Sequence, residues 1–358
     1  MISVNPFELS GRPCIVGTGL VALDVLVKFG EHSLESSFQY AGGTCGNVLA
    51  ILAWLGWRSV PIGRLDSDEA GRVVSSDLRR FGVATKYTRL RPRSATPVII
   101  ERLRISSQGV PNHHFSLNCP TCGSLLPRYR PVTLRTARKV ALKEKAPSVF
   151  FFDRASPGAI FLGQTYSDTG SLIIFEPSGR ADEKLQKKAL ELAHICKYSR
   201  EQFDGLYSGR MTRPLLEIQT MGVGGLRYRT NLANGNGEWV NTAAFALDNI
   251  KDAAGAGDWL SAGLIFQLGQ RQLSGLQAVS SKTLTGALYF GQALAAWNCQ
   301  FEGARGGMYS VSNAEFHQQI RRLLTGKGLS TKASAESDTP RIANFRCSRS
   351  SCRGRFRS

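Results

Sequence analysis

The apolar residues of this chain fall into short runs with two different spacings. Residues 14–17 make a first buried strand, and 21–29 a second extended segment with valines at 21, 25 and 27. Residues 38–46 lead into a helix with a buried stripe of Val48, Leu49, Leu52, Ala53 and Leu55, ended by Gly56. A short strand at 60–64 and a helix at 68–82 follow; the helix closes on Arg79 and Arg80, cations suited to its C-terminus. Residues 96–105 alternate as a strand does, resuming after Gly109-Val110-Pro111, and 133–145 form a basic amphipathic helix. From 148 onward strand and helix alternate, with strands at 149–153, 172–175, 195–198 and 215–219 and a helix at 182–193. A strand returns at 239–246, and helices are expected from 260, at 280–298 and at 314–324. This alternation predicts an α/β fold, a doubly wound and mainly parallel sheet with helices on both faces. Ligands in such a sheet sit at the C-terminal ends of the strands.

One stretch stands out chemically. Asp252-Ala253-Ala254-Gly255-Ala256-Gly257-Asp258 runs into Leu260, Leu264, Ile265 and Leu268, which have helical spacing and end at Gly269. A glycine-rich turn that opens a helix presents unpaired N–H groups and the positive end of the helix dipole, so it suits a phosphate or an oxyanion. Asp258 stands at the mouth of that turn. A carboxylate beside an anion hole can take the proton of an attacking hydroxyl while the hole holds the transferred group. The plainer alternative is an N-capping Asp after a flexible turn.

Other candidates are spread along the chain. Asp24 is a carboxylate in an apolar run, either a structural Asp at a strand end or an acceptor for two sugar hydroxyls. Gly42 and Gly43 allow close backbone approach, and Asn47 offers a donor and an acceptor to a polyol; the alternative is a turn that caps a core helix. Thr220-Met221-Gly222-Val223-Gly224-Gly225 offers a hydroxyl and backbone donors to phosphates, or is a tight turn between strands. Gly17-Thr18-Gly19 and Ala22 fit a dinucleotide fingerprint nominally, but the segment after them reads as extended where that motif needs a helix. Cys119 and Cys122 form a lone C-x-x-C near His113 and His114. They read as two thiols in a loop, with zinc as the alternative if a fourth ligand such as Cys347 or Cys352 came from the tail.

The segment 252–258 resembles the D-T-x-G-A-G-D signature of the PfkB (ribokinase-like) carbohydrate kinases. Gly42-Gly43, Asn47, Ala50, Leu52, Leu55 and Gly56, followed by Ile62-Gly63-Arg64-Leu65-Asp66, Asp68 and Gly71, resemble the family's upstream motif. The two lie about 200 residues apart in the family's order, and the resemblance spans roughly 12–325, within a domain bounded at 12–328. It implies a kinase domain over that span and a small β-sheet lid from segments near 24–41 and 95–118, whose closure excludes water from the reaction. It implies ATP-dependent phosphorylation of a hydroxyl on a sugar or sugar-like molecule. Asp258 is then the general base and the N–H groups of Gly255, Ala256 and Gly257 the anion hole. Asp24, Gly42, Gly43 and Asn47 bind the acceptor, and Thr220, Gly222, Gly225 and Asp252 the nucleotide. The loop 299–307 is placed near the adenine. ATP and magnesium are the implied cofactors, with a monovalent cation as an optional third, and a homodimer through the lid is the implied assembly. The chain departs from the family at Ser199-Arg200-Glu201-Gln202, where N-x-x-E is usual. Glu201 is the substitute ligand for magnesium by a one-residue shift. Glu176-Pro177-Ser178 stands where the family often has Asp-Pro-Asn.

Composition narrows the partners. The formal charge is +18, and residues 329–358 form a basic, Ser-rich tail expected to be disordered. A body this basic favours anionic ligands, yet no nucleic-acid recognition motif accompanies it. The first 12 residues carry no apolar signal region, no run approaches membrane-spanning length, and the eight cysteines are scattered. A cytoplasmic, non-membrane protein with reduced thiols is the expectation. Three other readings stay open: a non-catalytic sugar- or nucleotide-binding relative, a nucleotide-binding oxidoreductase and a nucleic-acid-binding protein.

Overall fold

A computed structural model describes residues 5–27, 38–88, 96–105, 111–179, 182–203, 214–233, 235–247 and 250–327. The tail at 329–358, with Cys347 and Cys352, lies outside the described residues, as do parts of the lid span at 28–37, 89–95 and 106–110.

The chain begins with β1 (Cys14–Thr18), β2 (Ala22–Val27), β3 (Phe38–Gly42), α1 (Thr44–Trp54), β4 (Arg58–Ile62) and α2 (Glu69–Arg80). Then come β5 (Val98–Ile105), β6 (Pro111–Ser116) and α3 (Leu134–Lys143). The alternating part is β7 (Val149–Phe152), α4 (Pro157–Ser167), β8 (Leu172–Phe175), α5 (Glu183–Leu192), β9 (Ile195–Ser199) and β10 (Leu216–Thr220). A hairpin of β11 (Leu226–Thr230) and β12 (Val240–Thr242) leads to α6 (Ala256–Leu268), α7 (Gln272–Gln277), α8 (Ser281–Asn298), α9 (Gly306–Ser310) and α10 (Asn313–Leu324).

The main sheet runs β12-β11-β10-β9-β8-β7-β1-β4. Its strands from β4 to β10 are parallel, and only the β10-β11-β12 edge is antiparallel. The central strands are apolar throughout because both faces are covered. Along β7, Phe151 joins Ile15, Ile174, Ile195 and Ile218 beneath α1, α6 and α8. Phe150 and Phe152 turn the other way and join Ile173, Phe175 and Cys196 beneath α3, α4 and α5. Helix α6 is apolar all round because it is wedged between the sheet, α1 and α8. A Cβ on Gly263 would lie 2.6 Å from the Cα of Gly291, so the two helices cross almost backbone to backbone. Trp259 at its start, Trp54 and Trp297 form one aromatic cluster with Phe316. Helix starts follow the usual chemistry: Asp68, Thr133, Ser156, Ser280 and Ser312 each accept a first-turn N–H.

A second sheet, β3-β2-β5-β6, stands apart from the first, as the lid expectation requires. Two expectations need correction. The strand at 239–246 is only three residues long. Its partner β11 escaped notice because Arg227, Tyr228 and Arg229 on this half-buried edge give no apolar alternation. The loop at 299–307 gives way at Gly306 to the short helix α9. Gly17–Gly19 leads into β2, the extended segment expected there, and not into the helix that a dinucleotide turn needs.

Cys119 and Cys122 share a turn in which Gly123 N–H donates to the Cys119 carbonyl at 2.8 Å. Both are outside any disulfide. Among the described residues no group of three or more His, Cys, Asp or Glu is placed to hold a metal ion, and no helix is long and apolar enough to cross a membrane.

Candidate active site

The site is built on a row of polar residues where an apolar pattern runs out. Asp153 follows β7 in phase with Phe151, Glu176 follows β8 in phase with Ile174, and Lys197 lies on β9 in phase with Ile195. Strand periodicity therefore turns all three to the α6 face, at the C-terminal ends of adjacent strands. All are buried. Asp153 accepts the Leu20 N–H at 2.9 Å and binds Arg154 and Ser178 at 3.0 Å each. Its carboxylate lies where a Cβ on Gly19 would be, which fixes that position as glycine. Glu176 pairs with Lys197 at 2.9 Å.

The turn before α6 lies over this row. Gly255 takes a left-handed conformation (φ 70°), and a Cβ there would meet the Ala304 carbonyl at 2.3 Å. Asp252 supports the turn from below: it is fully buried and accepts the N–H groups of Ala254 at 2.6 Å and Gly303 at 2.7 Å. Asn298 and the Trp259 indole N–H bond the Ala304 carbonyl, so the 299–305 loop is the underside of the turn. The Ala256 N–H is directed back to the Ala253 carbonyl at 3.2 Å. Gly257 and Asp258 lie in the first turn, whose N–H groups have no partner within the helix.

Asp258 projects from that first turn and keeps a partly exposed surface, while protein atoms enclose its carboxylate. Burial pushes its pKa up to about 7; the Asn47 hydrogen bond and Lys197 pull it down, and Glu176 and Asp153 push it up. Asn47 donates its amide to Asp258 Oδ2 at 2.8 Å. Because this bond favours the ionised form, its removal must raise the pKa. In Asn47→Ala, a ¹³C NMR titration of the Asp258 carboxyl is expected to shift its midpoint up by about one pH unit, the worth of one hydrogen bond to a charged group. An unmoved midpoint would show that the contact carries no electrostatic weight.

The acceptor candidates converge from the side of the second sheet. Asp24 on β2 lies so close to Gly42 that a Cβ there would meet Asp24 Oδ2 at 1.7 Å. The Gly43 N–H points to the same oxygen at 3.4 Å, and Gly43 itself has φ 78°. Burial, and then the charge of Glu101, hold Asp24 well above the usual carboxylate range. Its Oδ1 and the Tyr40 hydroxyl are buried polar atoms without a hydrogen-bond partner among the described residues. Such atoms suit a bound polyol, which would satisfy them.

Arg305 binds this arrangement together. It is fully buried, donates to Asn47 Oδ1 at 3.1 Å and Asp77 at 2.7 Å, and bonds the Ala41 carbonyl of β3. Asp77 also accepts from the Ala41 N–H at 2.9 Å and the Tyr309 hydroxyl at 2.8 Å. With its carbonyl oxygen held by Arg305, Asn47 can turn only its NH₂ toward Asp258. The polar positions of Arg305 and Asp77 do not stand out in a linear reading. Lys197 has one local signal, a charged residue in phase with a buried isoleucine.

The nucleotide candidates are less uniform. Thr220 ends β10 half-buried, with its hydroxyl 3.4 Å from the Tyr198 carbonyl. Gly222 (φ 56°) faces open space. Gly225 is committed to the hairpin, since a Cβ there would meet the Thr242 carbonyl at 2.2 Å. Asp252 lies beneath the turn before α6 with its carboxylate engaged by backbone. Glu201 is exposed on the turn after β9, with its N–H donating to Ser199 Oγ at 3.2 Å, and Gln202 is exposed beside it. The described residues thus build no magnesium cage of their own.

No protein-family model matches the chain, and no curated protein matches it. Solved structures do. The fructokinase with bound ATP from Xylella fastidiosa superposes with a TM-score of 0.66 at 17% identity, covering 88% of this chain and 98% of its own. The aminoimidazole riboside kinase from Salmonella enterica, solved with aminoimidazole riboside and an ATP analog, gives 0.63 at 19%, covering 87% and 99%. Ribokinase of Arabidopsis thaliana, complexed with ribose and ATP, gives 0.60 at 17%, covering 87% and 99%. The chain has the ribokinase-like fold, that of the PfkB carbohydrate kinases its two motifs resemble.

Proposed function

We propose that the chain transfers the γ-phosphoryl group of MgATP to a hydroxyl of a sugar or sugar-like molecule. The observation that carries this is the pairing of an enclosed carboxylate, Asp258, with the open first turn of α6, the carboxylate being oriented by Asn47. A base with a pKa near the working pH is the effective kind. Asp258 takes the hydroxyl proton, the freed oxygen attacks the γ-phosphorus, and the bond to the bridging oxygen breaks to leave ADP. The N–H groups of the first turn of α6, with Gly255 shaping it, hold the charge on the phosphoryl oxygens. Asp24, Gly43 and Asn47 hold the acceptor beneath the lid. Thr220 and Gly222 lie at the strand end where the nucleotide phosphates would run, and Gly225 shapes that loop. The fructokinase, riboside kinase and ribokinase structures support ATP as donor and a sugar or riboside as acceptor class. Phe115 is exposed on the edge strand β6, which supports pairing of two lids in a homodimer.

The test is ADP release from MgATP against a panel of sugars, sugar phosphates and nucleosides. Turnover on one acceptor class is expected. ATP binding with no turnover on any acceptor would instead favour a non-catalytic sugar- or nucleotide-binding relative, a reading that the Ser199 and Gln202 departures motivate.

A further inference from the structure

The kinase reading leaves one buried cation unused. Lys197 Nζ is the atom that a Cβ on Gly257 would meet, at 3.5 Å, so the ammonium lies against the first turn of α6. That turn is already the positive end of a helix of 13 residues. A cation placed there is repelled by the dipole, and burial removes the water that would otherwise solvate it. Glu176 pairs with it directly and Asp258 also feels its charge, while Glu176 keeps a second buried oxygen, Oε1, without a hydrogen-bond partner among the described residues. Strand periodicity would fill position 197 with an apolar residue like Ile195. Two positive features converging on a glycine with no side chain of its own describe a seat for a group of more than one negative charge.

The same strand carries the departure in the motif. The chain has Ser199 and Gln202 where N-x-x-E is usual, and Glu201 is exposed. The carboxylate of this turn, Glu201, belongs to no group of three or more His, Cys, Asp or Glu placed to hold a metal ion among the described residues.

We propose that Lys197 is a catalytic residue of the phosphoryl transfer proposed above, and that its ammonium leaves Glu176 to hold the transferred group against the first turn of α6. Magnesium then accompanies ATP as part of the substrate, and the protein supplies the second positive charge as a fixed ammonium. The side chain has only to exchange one oxygen partner for another. A preorganised cation that meets charge as it moves onto the phosphoryl oxygens lowers the barrier more than it tightens nucleotide binding.

This inference rests on the kinase reading, and the experiment separates the two. Lys197→Met alone would strand Glu176 as a buried unpaired charge, so the decisive variant is Lys197→Met/Glu176→Gln, which removes the pair without leaving an uncompensated ion. Calorimetry with MgADP, with and without fluoroaluminate as a mimic of the transferred phosphoryl group, is done on wild type and variant, with ADP release measured alongside. Wild type is expected to bind MgADP more tightly when fluoroaluminate is present. The double variant should lose that enhancement by at least about tenfold, keep its affinity for MgADP alone within about threefold, and turn over about 10²- to 10³-fold more slowly. Lys197→Arg, which keeps the charge, should recover part of the enhancement. A double variant that keeps the enhancement beside an active wild type overturns the role of Lys197 and leaves the kinase reading standing. A wild type that neither binds the mimic nor turns over any acceptor overturns both.

Discussion

Asp258→Asn is expected to lower turnover about 10²- to 10⁴-fold while making the folded protein more stable above neutral pH. The two effects share one cause. The folded state holds the Asp258 carboxyl at about 7, well above its ordinary value, because the site encloses it. A group whose pKa is raised on folding contributes stability that is fully present below the unfolded value and is lost as pH rises through the folded one. Ionised Asp258 therefore costs the native state free energy from about pH 4 upward, reaching its full size above pH 7. A shift of this size, discounted for the partly exposed surface of the residue, is worth on the order of 2 kcal/mol. Asparagine keeps the shape and an acceptor for Asn47 but never ionises. Denaturant unfolding at pH 8 should show the variant to be the more stable protein, and at pH 4 the two should coincide. Equal stability at pH 8 would mean that the carboxylate is solvated and not poised as a base. Unchanged turnover would end its assignment as the base.

Arg305→Met should have the largest effect on stability, a loss of about 3–5 kcal/mol in denaturant unfolding. Methionine fits the volume but leaves Asp77 as a buried carboxylate with no cation. It also strips the Ala41 carbonyl and Asn47 Oδ1 of their donor. The effect reaches the chemistry because Asn47, no longer held, can rotate its amide away from Asp258. Adding Asp77→Asn should recover part of the stability, since the unpaired charge is then gone, but not the orientation of Asn47. A loss below about 1 kcal/mol would show that water or a neighbour replaces the guanidinium.

Comparison of the linear pattern with the fold shows where local reading succeeds. The strands expected at 149–153, 172–175 and 195–198 match β7, β8 and β9 because parallel strands covered on both faces are continuous apolar runs. The β11–β12 hairpin was missed because an edge strand carrying Arg227, Tyr228 and Arg229 has no buried face to advertise. In the site, Asp258, Asn47, Gly42 and Gly43 stand in short motifs and Asp24 is a carboxylate in an apolar run, and the structure brings Asp258 to Asn47 and Asp24 to Gly42 and Gly43. Arg305 does not stand out in this way, because its partner Asp77 is 228 positions away and no period links them. Asp252 shows what a motif leaves out: it marks the residue, while the bonds of its carboxylate to the Ala254 and Gly303 N–H groups come from the fold. A motif marks which residues matter, but long-range hydrogen bonds determine what each one does.

The tryptophan beside the proposed base has a practical consequence. Trp259 follows Asp258 directly, its indole N–H is pinned to the Ala304 carbonyl at 3.0 Å, and its ring abuts Trp54 and Trp297. The turn proposed to receive the phosphoryl group is thereby coupled to a chromophore held by a defined hydrogen bond. Any movement of that turn changes the environment of the indole, so ultraviolet emission gives an unlabelled optical readout of the site in the unmodified protein.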